Sequence, residues 1–112
     1  MSKLTASDNA GPVFRVDKFL VPPESLDAFV GQMRHVHTLL DDLPGCRQRR
    51  VLTQTAGAGK FNVVTMIEWA SAADLARALS VMPARFAKEG FDPKDFVKRL
   101  GITADLGIYH PA

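Results

Sequence analysis

The sequence predicts an α+β domain in which a four-stranded antiparallel sheet carries its helices on one face. The first observation behind this is the ten-residue run Lys60–Trp69, KFNVVTMIEW, which is apolar on both faces of a strand. Phe61, Val63, Thr65, Ile67 and Trp69 fall on one side and Asn62, Val64, Met66 and Glu68 on the other, because side chains alternate. A strand wetted on one side would alternate apolar with polar residues, so this one expects two covers. The second observation is a pair of stretches whose apolar residues recur every three or four positions, the mark of helices packed on a sheet. The third is the element order: strand, helix, strand, strand, helix, short helix, strand.

Val13–Leu20, VFRVDKFL, is the first strand. Asp17, Lys18 and Phe19 break its alternation, so a bulge or an early change of partner is expected there. Pro22 and Pro23 end the strand and open a helix. From Pro23 to Leu40 the apolar residues Leu26, Phe29, Val30, Met33, Val36, Leu39 and Leu40 form one stripe toward the sheet. His37 sits beside that stripe, one turn beyond Met33. Leu43-Pro44-Gly45 turns the chain into a second strand, Cys46–Thr55. Ala56–Gly59 then supplies a hairpin into the Lys60–Trp69 strand.

Ser71 followed by Asp74 resembles a capping box, and Leu75, Leu79, Met82 and Phe86 make the second stripe. Pro83 lies within it, and a break or kink is expected near Val81–Ala84. Asp92-Pro93 starts a short helix through Leu100, and Ile102–His110 is the last strand, with Leu106, Ile108 and the tip of Tyr109 packing against the rest. This order is the split βαβ, ferredoxin-like plan. One helical layer can cover only one sheet face, so the other apolar face predicts a homodimer, sheet against sheet.

Composition narrows the function classes. The chain has 112 residues, 46% hydrophobic and 23% charged, which suits one globular domain at residues 13–112 after a flexible leader at 1–12. A net charge of +2 with interspersed signs points to neither nucleic acid nor an anionic membrane. No apolar run nears the roughly 20 residues that span a bilayer, and the leader lacks a signal-peptide core, so a cytoplasmic location is expected. The single cysteine, Cys46, agrees with a reducing compartment.

The segment AGAGK is not a phosphate loop, since Gln54 and Phe61 stand where that pattern needs a glycine and a hydroxyl residue. No metal is expected, because His35 and His37 diverge on a helix and no carboxylate completes a ligand set. His37, near the stripe, has two roles open to it: a general base, or a half-exposed border residue. Trp69 can stack on a planar ligand or fill a core corner. Arg47, Arg49 and Arg50 can steer an anion or guard an edge. Cys46 reads as a quiet buried thiol. Glu68 needs an arginine or a partner-chain donor if it faces the dimer interface, and Arg50 across the hairpin is one candidate mate.

Val16-Asp17-Lys18-Phe19 before a proline, Leu43-Pro44-Gly45, the strand Phe61–Trp69 followed by SAADL, and the closing Ala104–Pro111, ADLGIYHP, together resemble antibiotic biosynthesis monooxygenase domains of the dimeric α+β barrel superfamily. The resemblance spans about residues 13 to 111. It implies a homodimer with a pocket between sheet and helices of one subunit. It also implies chemistry of the kinds found in that family, among them cofactor-free oxidation of anthrones and quinols and the degradation of haem. The anthrone branch places an asparagine four residues before the tryptophan, where Thr65 stands here. The haem branch places an asparagine in the first strand and a ligating histidine ten residues after the tryptophan, where this chain has Asp17 and Leu79. Leucine cannot ligate iron, so haem degradation is disfavoured and no cofactor is expected.

Two readings of function follow. In one, the protein is a cofactor-independent monooxygenase that joins O2 to a small planar aromatic, with His37, Thr65 and Trp69 as catalytic residues and Met33, Asn62, Val63, Ile67, Leu79 and Phe86 lining the substrate site. In the other, the same fold is a non-catalytic dimeric module that binds a small ligand or serves in stress.

Overall fold

The structure, a computed structural model, describes residues 11–112. The expected leader therefore lies, apart from Gly11 and Pro12, outside the described residues. Strand β1 spans Val13–Leu20, β2 Cys46–Thr53, β3 Val63–Trp69 and β4 Thr103–Tyr109. Helix α1 spans Leu26–Thr38 after a 3-10 turn at Pro23–Ser25, α2 spans Ala72–Lys88 and α3 spans Pro93–Arg99. The sheet order is β2-β3-β1-β4, with every neighbouring pair antiparallel, which is the ferredoxin-like arrangement.

Local chemistry sets the helix ends. Ser71 caps α2 by accepting the Asp74 N–H at 3.2 Å, and its hydroxyl donates to the Asp74 carboxylate at 3.1 Å. Asp92 caps α3 by accepting from Lys94 and Asp95. Gly45 turns the chain into β2 at φ +82°, a left-handed backbone that side chains resist. Helix α2 runs through Pro83 without the expected break. Leu75, Ala78 and Met82 are buried and Phe86 is packed against the same core, so tertiary burial on both sides of the proline offsets the lost hydrogen bond.

The register of β1 against β3 is unbroken, from Val13 opposite Trp69 to Phe19 opposite Val63. The expected bulge in β1 is absent, and the irregularity lies in β2 between Cys46 and Gln48. Past the bulge it is Arg47, and not the candidate Arg50, that meets Glu68, at 3.7 Å. Regular alternation then gives β1 a helix-side row of Val13, Arg15, Asp17 and Phe19. Two polar residues interrupt an apolar row, and the core is divided accordingly. One cluster gathers around Val13, Leu40, Trp69, Leu75, Ala78 and Met82, the other around Phe19, Val21, Phe29, Val63 and Ile102.

The opposite sheet face presents Phe14, Val16, Val64 and Met66, half-buried, with Leu20, Leu52 and Tyr109 exposed. Leu106, Ile108 and Tyr109, expected to pack against the rest, are largely open, at 58%, 53% and 47% exposed. They stand on edge strand β4, which the helices only partly cover. No helix among the described residues is long and apolar enough to cross a membrane.

Candidate functional site

A cavity of about 310 Å³ lies between the helices and the helix-side face of the sheet, at the lower end of the range for small-molecule sites. Its floor is Arg15 and Asp17 of β1, with Ala104 and Leu106 of β4 beside them. Its walls are Met33 and Val36 of α1, Phe86 of α2, Phe91 of the connecting loop, and Phe96 and Val97 of α3. Five phenylalanines run around it in continuous contact. Phe19 meets Phe29 at 4.7 Å between ring centroids, Phe29 stacks on Phe96 at 6.2 Å, Phe96 meets Phe91 edge-on at 5.3 Å, and Phe91 meets Phe86 at 5.3 Å. Such rings favour flat, apolar occupants through offset or edge-on contact.

Arg15 Nε donates to Asp17 Oδ1 at 2.8 Å, with the two side chains 25% and 15% exposed. Across the sheet, Asp17 stands opposite Thr65 of β3 and Leu106 of β4, and Arg15 opposite Ile67 and Ile108. The pair is therefore an isolated polar spot on an apolar floor. Sequence reading singled out neither residue as a site residue, although strict alternation of VFRVDKFL places both on one face with Val13 and Phe19.

The structure does not bring the expected residues together. Met33 and Phe86 line the cavity, and Thr65 is the buried cross-strand neighbour of Asp17. His37 lines a separate depression with Arg34, Thr38, Asp41, Arg49 and Val51. There it is 9% exposed, and burial first, then the Arg49 charge, holds its pKa below the ordinary 6.5. Arg49 donates to the His37 carbonyl at 2.8 Å and pairs with Asp41. Trp69 is a core residue at 2% exposure, and its indole N–H has no partner among the described residues. Val63 is wholly buried and Ile67 packs against the Trp69 cluster.

Asn62 serves the backbone instead of the cavity. Its side-chain amide accepts from the Val21 N–H at 2.8 Å and donates to the Val21 carbonyl at 2.9 Å. Leu79, expected in the stripe, is 49% exposed, and Ala78 takes the inward position. His35 pairs with Glu89 at 2.9 Å. Cys46 is half-buried, and desolvation raises its pKa.

Among the described residues, no group of three or more His, Cys, Asp and Glu side chains gathers as metal ligands would. Among the described residues, the cavity lining includes no imidazole, thiolate or phenol to ligate haem iron from the positions that the haem-degrading pattern uses, so the residues do not fit that group.

The sequence matches no protein-family model and no curated protein. Solved structures do match in fold. A candidate monooxygenase from Shewanella loihica PV-4 superposes with a TM-score of 0.71 at 17% identity, over 91% of this chain and 95% of that one. SnoaB, a cofactor-independent oxygenase from Streptomyces nogalater solved in a mutant form, gives 0.64 at 17% identity, over 91% and 94%. The heme-degrader MhuD from Mycobacterium tuberculosis, with two hemes bound in its active site, gives 0.64 at 17% identity, over 89% and 95%. The chain thus shares the ferredoxin-like fold of these structures. One fold there serves cofactor-free oxygenation and haem degradation, so the choice between them rests on site residues.

Proposed function

We propose that this protein is a cofactor-independent monooxygenase acting on a small planar aromatic of the quinol or anthrone type. The observation that carries the reading is the phenylalanine-walled cavity with a single ion pair on its floor. The walls supply shape and exclude water, and the floor supplies a base and a cation.

The chemistry is then mainly the substrate's own. Asp17 accepts a proton from an acidic C–H or O–H, and Arg15 stabilises the resulting anion. The electron-rich anion passes one electron to O2, and the caged radical and superoxide join to form a C–O bond. After protonation, the O–O bond breaks and water leaves. For an anthrone, the methylene loses both hydrogens, one oxygen atom becomes the new carbonyl and the other departs in water. Thr65, beside Asp17, and Met33 and Phe86, in the wall or next to it, serve in positioning. In this reading the proton acceptor is Asp17 rather than His37, which opens to a different depression.

A homodimer belongs to the same proposal. Phe14, Val16, Val64 and Met66 form an apolar face that a second copy would cover.

The test is oxygen uptake with a panel of quinols and anthrones. Wild type should turn over, and Asp17→Asn, shown folded by circular dichroism, should be slower by about 10²–10⁴-fold, the usual worth of a general base. His37→Ala and Trp69→Phe should stay within a few-fold of wild type. Ligand binding with no oxygen uptake for any member would assign the non-catalytic binding module instead.

A further inference from the structure

The Arg15–Asp17 pair has unused bonding capacity facing the cavity. A guanidinium carries five N–H donors and a carboxylate two oxygens, and the pair consumes one donor and one oxygen in its 2.8 Å contact. The one fully buried side-chain polar atom without a partner among the described residues is the Trp69 indole nitrogen. Neither side chain has a further hydrogen-bond partner among the described residues, and both residues line the cavity. Their cross-strand neighbours on this face are Thr65, Ile67, Leu106 and Ile108, none of them charged. The other charged side chain lining the cavity is Lys94, which is exposed at the mouth and shared with an outer groove.

An ion pair in an apolar setting contributes little to stability, and a hydrophobic replacement is often neutral or better. A ligand that enters must also replace the water on both groups or leave them unpaired. Arg15 then requires an acceptor and Asp17 requires a donor, side by side. A phenolic hydroxyl satisfies both with one atom: its oxygen accepts from the guanidinium and its proton points to the free carboxylate oxygen. An aryl methyl ether satisfies Arg15 alone. An aryl carboxylate satisfies Arg15 but meets the charge of Asp17.

We propose that Arg15 and Asp17 form a hydroxyl-reading fork that selects phenols, including the enol form of an anthrone, and seats the hydroxyl between them. This deepens the oxygenase reading but is tested without oxygen. Proton transfer from the seated hydroxyl to Asp17 leaves a phenolate against Arg15, with no other bond broken.

The experiment is anaerobic fluorescence titration of the full chain with 2-naphthol, 2-methoxynaphthalene and 2-naphthoate. Wild type is expected to bind naphthol about 10- to 100-fold more tightly than the ether or the carboxylate, the range for one unsatisfied buried polar group. Asp17→Ala should reverse the order, with naphthoate now ahead of naphthol, because Arg15 is left without its counter-charge. Arg15→Gln should weaken naphthol and raise the pH at which bound naphthol ionises, read from its emission.

A reversal of preference is not something a merely damaged fold produces. Equal binding of naphthol and its ether by wild type, or an unchanged order in Asp17→Ala, overturns the proposal. Turnover of aromatics without hydroxyl preference would remove this inference alone. Hydroxyl preference with no oxygen uptake would remove the oxygenase reading alone.

Discussion

Gly45→Ala should be among the most damaging small substitutions in this protein. Gly45 sits at φ +82°, where a side chain costs about 1–2 kcal/mol. A Cβ there would also come within 2.7 Å of the Asp74 Cβ, with the carboxylate nearer still. Rotating Asp74 away breaks its bonds to the Ser71 hydroxyl at 3.1 Å and Arg77 at 3.0 Å. It does not move the Asp74 Cβ, so the first turn of α2 must shift too. Capping losses run to about 0.5–2 kcal/mol, which brings the expected total to about 2–4 kcal/mol. That is a large share of the roughly 5–15 kcal/mol that holds a domain together.

Urea unfolding of four proteins measures it: wild type, Gly45→Ala, Asp74→Ala and the double variant. In the Asp74→Ala background the carboxylate clash is gone but the Cβ contact at 2.7 Å remains, so the glycine substitution should cost less than in wild type yet more than its backbone part of about 1–2 kcal/mol, and the two changes couple. A Gly45→Ala protein within about 0.5 kcal/mol of wild type, at unchanged m, would refute the close approach between the β2 turn and the start of α2.

The other expectations concern His37, Asn62 and the sheet face. Burial and Arg49 depress the His37 pKa in the fold, so the unfolded chain binds more protons between the lowered value and 6.5. That contribution to stability is complete above 6.5 and is lost as pH falls through the lowered value. His37→Gln should flatten the stability profile as pH falls below 6.5 in denaturant titrations. Asn62→Ala strips both bonds from the backbone of Val21, which is 2% exposed, and should cost about 2–4 kcal/mol by thermal or urea unfolding. Sedimentation should give twice the 12.2 kDa chain mass for wild type and a folded monomer for Met66→Lys, whose charge would face the second copy. A monomeric wild type would remove the proposed dimer.

Much of the architecture was legible along the chain because it is written in local chemistry. Proline pairs, glycine turns, a serine and an aspartate at helix starts, and spacings of two or three-to-four mark where elements begin, end and face. Those signals placed four strands and three helices within a few residues, and they separated the sheet's two apolar faces. They misjudged Pro83, since a local penalty says nothing of the core contacts on either side of it. They also put the bulge in β1 rather than β2, because pairing register is set jointly by two strands.

The site is where local reading ran out. His37, Thr65 and Trp69 were expected to converge; Thr65 lies beside the pair on the cavity floor, Trp69 is in the core and His37 lines another depression. Which concavity a side chain enters depends on how separate elements cross, and no spacing within one element encodes that. Asp17 looked like part of a broken alternation in sequence, and nothing there singled out Arg15. Only when α1, α2 and α3 close over the middle of the sheet do those two charges become the floor of a cavity, because the apolar clusters on either side leave that position unfilled.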